Sequence, residues 1–462
     1  MFTPSEVKMV ICKLSSKKAP GSDHIVQPLL KSLPRKPLVF LTQIYNAMLR
    51  LSYFPSRWKI ANIIMIPKPN KLHSNPLNYR PISLLPLFSK IFESLFLSKL
   101  FPYIESLLPD YQFGFRKVHS CPQQLHRIVD EILETYEKKQ ICLGLFLDTE
   151  KAFDKVWHQG LLYKLKDHLP DTYYRLIQSY LTGRKYTVVY ERAVSQERNI
   201  NAGVPQGSVL GPLLYLIYTS DLPKSDNLTI AQFADDIAIL SRGNTNHQAT
   251  LNLQNYIQKL EQWNKNWRTS MNPNKSTLIT FTYLRNGIAG PIMLNGQPVP
   301  QNTEVKYLGI ILDSRLTWRQ HITNILQRLR HRLQLLKFLI NENSSLPLHS
   351  KKLIYIMLLK PIWQYSCSIW GSASNTQINR LQTFQNRVLR LITGAPWYVR
   401  NETLHSDLGI KTVNSILQIS YKQLHSTFKH HPNILIRQIP QNMPPARSDR
   451  RLKRKRHTDL LA

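Results

Sequence analysis

The sequence predicts an α+β fold, and three observations carry that reading. Two short apolar runs flank adjacent carboxylates in Ile230-Ala231-Gln232-Phe233-Ala234-Asp235-Asp236-Ile237-Ala238-Ile239-Leu240, which reads as an antiparallel hairpin with the pair at its turn. A second apolar run, Ile141 to Leu147, ends abruptly in Asp148, as a strand buried on both faces delivers a carboxylate to a sheet edge. Beyond Leu316 helical patterns replace strand patterns, and cations crowd their polar faces: Arg319, Arg328, Arg330, Arg332 and Lys337, then Arg380, Arg387 and Arg390.

The chain has 462 residues, room for two or three domains. It carries 61 Lys and Arg against 28 Asp and Glu, a formal charge of +33. Such an excess points to a polyanion, either nucleic acid or an anionic membrane surface. No apolar run reaches the ~18 residues that span a bilayer, and no basic-then-apolar leader opens the chain. A membrane partner is therefore not expected. Cys12, Cys121, Cys142 and Cys367 are scattered, with no C-x₂-C pair, which excludes a zinc finger or knuckle and argues for a reducing, intracellular compartment.

In chain order, Thr3-Pro4-Ser5 opens a helical pattern over Ser5 to Ser15. Lys17-Lys18-Ala19-Pro20-Gly21-Ser22-Asp23 reads as a basic loop, a solvated turn or an arm on a nucleic-acid backbone. Leu38 to Leu51 is helical. Ile60 to Ile66 is a strand run, and Asn78 to Leu85 a second, broken by Pro81. They bring cations at Lys68 and Arg80; an Arg fork suits phosphate, although a lone surface Arg is usually just solvated. Residues 87–108 read as an amphipathic helix, with Leu87, Ile91, Leu95 and Phe96 on one stripe. Gln112-Phe113-Gly114-Phe115-Arg116-Lys117 interleaves aromatic and basic residues, a pattern that fits base stacking and phosphate contact, and equally a packed turn.

Residues 122–138 and 157–182 read as helices, with the strand Tyr186 to Tyr190 after them. Gly203-Val204-Pro205-Gln206-Gly207-Ser208-Val209-Leu210-Gly211-Pro212 reads as a loop whose backbone closely approaches a neighbour, followed by a helix from Leu213 to Thr219. Leu253, Tyr256, Ile257, Leu260, Trp263 and Trp267 form a core-facing helical stripe. Asn272 to Ser276 is a turn into the strand Thr277 to Phe281, and Val305 to Asp313 a last strand and turn. The run Arg450-Arg451-Leu452-Lys453-Arg454-Lys455-Arg456 fits an import signal, a nucleic-acid tail or a solvated tail.

Paired carboxylates repel unless a cation lies between them, and a hard divalent ion such as Mg²⁺ is the natural partner. Taken singly, Asp235-Asp236 also fits a polar hairpin tip, and Asp148 an acidic helix start. Their order with the glycine-rich loop is more telling. Phe146-Leu147-Asp148-Thr149-Glu150-Lys151-Ala152-Phe153-Asp154-Lys155-Val156-Trp157-His158, Gly203 to Pro212, Phe233-Ala234-Asp235-Asp236 and Tyr307-Leu308-Gly309 together resemble the reverse transcriptase domain of non-LTR (LINE-type) retrotransposons, closest to the Jockey-like branch. The likeness runs from about residue 5 to about residue 425.

That resemblance implies a right-hand polymerase, with fingers, a palm built on an antiparallel sheet and a helical thumb. It divides the chain into an N-terminal helical extension over 1–53, fingers and palm over 54–315, a helical thumb and C-terminal region over 316–439, and a basic, disordered tail over 440–462. It implies that Asp148, Asp235 and Asp236, with the main-chain carbonyl of Thr149, hold two Mg²⁺ ions, Mn²⁺ substituting. Lys68 and Arg80 would grip a deoxynucleoside triphosphate. Phe153 would face the sugar C2′, Gln206 would lie near the incoming nucleotide, and Lys275 would donate a proton to pyrophosphate. Phe113, Arg116, Arg328, Arg330 and Arg332 are the expected nucleic-acid contacts. The implied partners are an RNA template and a DNA primer or target, within a ribonucleoprotein of nucleus and cytoplasm. Relatives of this branch carry an upstream apurinic-type endonuclease; no such motif is visible, so the sequence reads as a fragment or truncated copy, with target cleavage supplied from elsewhere. A decayed copy that only binds RNA is the alternative, although no carboxylate that the chemistry needs is missing.

Overall fold

The apolar runs form two larger sheets and two two-stranded ones in the computed structural model, which describes residues 1–17, 19–69, 72–191, 193–284, 290–439 and 448–461. The chain divides into two compact units. One comprises 1–115, 149–224 and 259–271; the other comprises 116–148, 225–258 and 272–462.

In the first unit, Ile60–Pro67 pairs antiparallel with Tyr79–Leu84 and parallel with Arg184–Tyr190, which also takes Ala193–Val194 and Arg198–Ile200 along its length. Pro81 fits because it faces Met65 on the edge strand of this sheet, where a missing N–H is tolerated. The opening helix is Pro4–Cys12, started by a capping box between Thr3 and Glu6. The predicted helix over 157–182 is two, His158–Lys166 and Asp171–Leu181, because Pro170 disfavours helical geometry at the residue before it. Helix Leu87–Ile104 is not amphipathic as its stripe suggested: Ser89, Phe92 and Glu93 are buried as well as the predicted positions. It runs through the core that also holds Tyr45, Phe54, Tyr180 and Tyr215.

In the second unit, a four-stranded antiparallel sheet runs Leu228–Phe233, Asp236–Gly243, Ile141–Asp148, Thr277–Phe281. Ile141–Asp148 is an inner strand, buried along its length up to the final Asp. Helix Cys121–Glu137 supplies Leu125, Ile128, Val129 and Ile132 to the same core. The predicted last strand and turn over Val305 to Asp313 is two strands, Glu304–Tyr307 and Ile310–Asp313, joined by a hairpin turn at Leu308-Gly309. Its two turn residues have φ of +43° and +81°, the geometry of a tight hairpin turn, and Gly309 has no room for a side chain beside the Tyr365 ring. Helices follow from Arg319–Ile340 onward. One of them passes from Leu348–Ile354 through a π turn, Tyr355–Leu359, into Lys360–Gln364. Pro361, which lacks an N–H to continue the ladder, accounts for that turn.

The C-terminal stretch differs from its predicted disorder. Residues 440–447, with Pro444, Pro445 and Arg447, lie outside the described residues. Residues 448–461 lie against Cys121–Glu137: Arg456 meets Glu137 at 3.0 Å, Arg450 meets Asp459 at 2.6 Å, and Leu460 and His457 are buried. Two cations of the basic run, Arg450 and Arg456, are thus paired with an acid of its own segment and an acid of that helix. Composition alone does not reveal this pairing.

Candidate active site

The hairpin of the second unit sets Phe233 opposite Asp236, and the next register sets Asp236 opposite Asp148. Only Ala234 and Asp235 make the turn. Ala234 takes φ +56°, the left-handed value that the first position of a two-residue turn needs. Holding a non-glycine residue there stores on the order of 1 kcal/mol. Asp148, Asp235 and Asp236 are thus brought to one end of one sheet by register and turn geometry.

The end of the central strand is tied to the turn that follows in space. Asn272 N–H donates to the Asp148 carbonyl at 2.9 Å, and Asp148 N–H donates to Ser276 Oγ at 3.3 Å. This turn brings Lys275 Nζ to 3.6 Å from Asp148 Oδ2. Both side chains are well exposed, so the contact is a screened surface pair of at most ~1 kcal/mol. Desolvation raises the Asp236 carboxyl to about 6, and the charges of Asp235 and Asp148 push the same way. Tyr307 stands close by, its ring centre 5.2 Å from that of Phe146, and its hydroxyl pKa is raised by burial and by Asp236.

A raised acid pKa favours the neutral form in the folded state. Metal-free protein should therefore lose stability as pH rises from about 4 through about 6, because the unfolded chain releases its Asp236 proton first. Asp236→Asn should flatten that decline by on the order of 1 kcal/mol, a value discounted for solvent access. Urea midpoints across this window measure it; a slope unchanged by the substitution would contradict the crowding.

Apart from Lys275, which lies in the second unit, the first unit holds the predicted nucleotide-binding residues Lys68, Arg80, Phe153 and Gln206. Pro67 faces Tyr79 in register, and just beyond them Lys68 N–H donates to the Asn78 carbonyl at 2.8 Å, so Lys68 and Arg80 leave the same strand pair. The glycine-rich loop docks on that sheet: Ser83 N–H donates to the Gln206 carbonyl at 2.8 Å. Gly207, at φ +125°, lies so close to Ser83 that an added Cβ would sit 2.4 Å from its carbonyl oxygen. On its other side Val204 N–H donates to the Phe153 carbonyl at 2.8 Å, and Gly203 N–H to that of Val156 at 2.8 Å. Main-chain bonds thus join the segments of Arg80, Gln206 and Phe153. The Phe153 ring stacks on Tyr215 at 4.7 Å and meets Phe115 edge-on at 5.9 Å. Thr149, next in sequence to Asp148, bridges to Met271.

Glu93 is a residue that sequence reasoning missed. Buried in the first unit, its Oε2 accepts from Val209 N–H at 2.7 Å and Leu210 N–H at 3.1 Å, and Ser89 Oγ donates to Oε1 at 2.7 Å. It anchors the end of the glycine-rich loop where helix Gly211–Tyr218 begins. The available signal was its standing as the single acid in Leu87–Ile104.

Among the expected nucleic-acid contacts, Phe113 is corrected. Its ring is fully buried, so it has no face to offer a base and is a core residue. Phe115 is the exposed ring of that motif. Arg116 is half-buried, and Arg328, Arg330 and Arg332 are exposed on Arg319–Ile340. Arg330 lines a groove of about 710 Å³ with Lys337, Arg380, Arg387 and Arg390, opposed by Glu342 alone among acids. Arg328 lies elsewhere, near enough to His321 to help burial lower its pKa to about 4. Among the described residues, no helix is long and apolar enough to cross a membrane.

Comparison with known proteins agrees with this geometry. The family described as "Reverse transcriptase (RNA-dependent DNA polymerase)" matches residues 66–312. The chain is 43% identical over 467 residues to the "Probable RNA-directed DNA polymerase from transposon X-element" of Drosophila melanogaster, covering 100% of this chain and 51% of that protein. It is 41% identical over 461 residues to the corresponding protein from transposon BS of the same species, covering 97% and 50%. It is 39% identical over 474 residues to the "RNA-directed DNA polymerase from mobile element jockey" of Drosophila funebris, covering 99% and 52%. The chain thus spans about half the length of these relatives. With the paired aspartates at the end of an antiparallel sheet and a family match over residues 66–312, the protein belongs to the reverse transcriptase family.

Proposed function

We propose that this chain is an RNA-directed DNA polymerase of a mobile element, adding deoxynucleotides to a primer 3′-hydroxyl on an RNA template. The observation that carries the reading is Asp148 opposite Asp236, with Asp235 in the adjoining turn. An all-carboxylate donor set, crowded enough to raise Asp236, suits a hard ion such as Mg²⁺, with Mn²⁺ as a substitute. Asp148, Asp235, Asp236 and the Thr149 carbonyl are the residues that would hold it. Two such ions, when bound, would activate the primer hydroxyl and steady the leaving pyrophosphate.

The protein's own groups do the rest. Lys68 and Arg80 bind triphosphate oxygens, Arg through its fork and Lys as a point charge. Gln206 contacts the incoming nucleotide from a loop fixed by its main chain. Lys275 holds the proton that the pyrophosphate takes. Phe153, held by Tyr215, walls off the sugar C2′ and excludes a ribose hydroxyl. Phe153→Ala should therefore raise ribonucleotide use about 10–200-fold, while deoxynucleotide use changes little. Competition between the two nucleotide types measures this, and unchanged discrimination would make Phe153 a packing residue only.

The partners of this reading are element RNA, a DNA primer at the target and deoxynucleoside triphosphates. The work is done as a ribonucleoprotein of cytoplasm and nucleus. The direct test is extension of a DNA primer on an RNA template by purified protein. RNA binding without any extension, in Mg²⁺ or Mn²⁺, would instead favour a decayed copy that only binds RNA.

A further inference from the structure

His126 is wholly buried in helix Cys121–Glu137, yet neither of its ring nitrogens has a hydrogen-bond partner. A polar side chain enclosed in that way is destabilising unless something is bound to it. Asp130 lies four residues on, on the same helical face. His457, also wholly buried, comes from the C-terminal stretch and sets its ring 4.6 Å from that of His126. Its Nε2 stands 2.7 Å from Asp130 Oδ1, but without the angle of a hydrogen bond. One ligand atom from each of these three residues can be chosen so that all lie within 4.8 Å of one another. Around a tetrahedral zinc with ~2.0–2.1 Å bonds, neighbouring ligand atoms stand ~3.3 Å apart, so small rotations of the side chains would close the set. Among the described residues this is the one group of at least three His, Cys, Asp or Glu that meets so closely.

We propose that His126, Asp130 and His457 form a structural Zn²⁺ site that fastens residues 448–461 to helix Cys121–Glu137. Two imidazoles and a carboxylate are a borderline donor set, suited to Zn²⁺ and poorly matched to Mg²⁺. The site is separate from the catalytic carboxylates in residues and in donor chemistry. Tyr421 and Phe428 pack their rings against His126 and line the site with apolar surface. His425, whose Nε2 is buried without a hydrogen-bond partner, packs against those same two rings. It or a water would complete the coordination. Arg450 is paired with Asp459 and Arg456 with Glu137, and Arg456 also feels the charge of Asp130, which is the anionic member of the donor set.

The test uses the full chain, stripped with a chelator and returned to Zn²⁺ in excess Mg²⁺, so that the catalytic carboxylates are saturated. Bound zinc is counted by elemental analysis, and Co²⁺ replacement gives a visible spectrum that distinguishes a four-coordinate imidazole site from an octahedral one. One Zn²⁺ per chain is expected, retained in Asp236→Asn. In His457→Gln it should bind weaker by more than the ~10–100-fold that loss of an outer partner costs. His126→Gln should behave alike; if that variant misfolds, His457→Gln and the stripped wild type decide. Stripping should also speed proteolytic cutting within 448–461. Failure to bind stoichiometric Zn²⁺, or equal binding by His457→Gln, would overturn the proposal.

Discussion

Asp148→Asn or Asp236→Asn is expected to abolish primer extension, by roughly 10³-fold or more, equivalent to about 4 kcal/mol of transition-state stabilisation. The same substitutions should leave the fold intact and hold or raise metal-free stability. The two residues face each other at the end of one sheet, and removing either charge relieves the crowding that raises Asp236 to about 6. Loss of activity with gain of stability separates a site held under tension from one that is simply packed. RNA affinity should stay within about twofold, since these carboxylates repel phosphate rather than bind it. A variant that extends primers like the wild type would remove the catalytic assignment.

Binding to an RNA–DNA hybrid should weaken by roughly 10³–10⁵ between about 50 and 200 mM salt if ~6–10 phosphates are contacted. The formal charge of +33 supplies the cations, and the groove between Arg319–Ile340 and Asn375–Thr393 concentrates them. Within it Arg380 already bonds Thr323 and Gln377, and Arg390 bonds the Val399 carbonyl and Asn401. Arg330, Lys337 and Arg387 are exposed and make the sharper test. Neutralising these three should reduce the slope of log affinity against log salt by about 2–3. Filter binding across a salt series measures it. A slope equal to that of the wild type would mean that this groove meets something other than nucleic acid.

The sequence made the carboxylate end of the sheet legible because strand burial and turn chemistry are local properties. Seven apolar residues before Asp148 require a doubly covered strand, and two apolar runs around Asp235-Asp236 require a hairpin. What was not legible depends on partners distant in sequence. Phe113 looks like a stacking residue until its neighbours close over it. Glu93 looks like a surface acid until the main chain of Val209 and Leu210, more than a hundred residues on, turns back to it. The stretch 448–461 looks like a charged tail because its acids, Asp130 and Glu137, lie on a helix more than three hundred residues earlier. Leu87–Ile104 shows the same limit, since one apolar stripe does not reveal that the opposite face is also covered.

The chain passes from one unit to the other at 115/116, 148/149, 224/225, 258/259 and 271/272. Neither unit is therefore a contiguous piece of polypeptide, and no single cut yields either one whole. Fragment libraries cut at linear boundaries should yield insoluble halves, and splitting the gene between Asp148 and Thr149 would separate a carboxylate from the carbonyl beside it. The first unit is assembled from three separated stretches, so a nascent chain must wait for residues near 271 before that unit has all its parts. Its assembly should therefore depend on the order of synthesis as well as on the strength of its contacts.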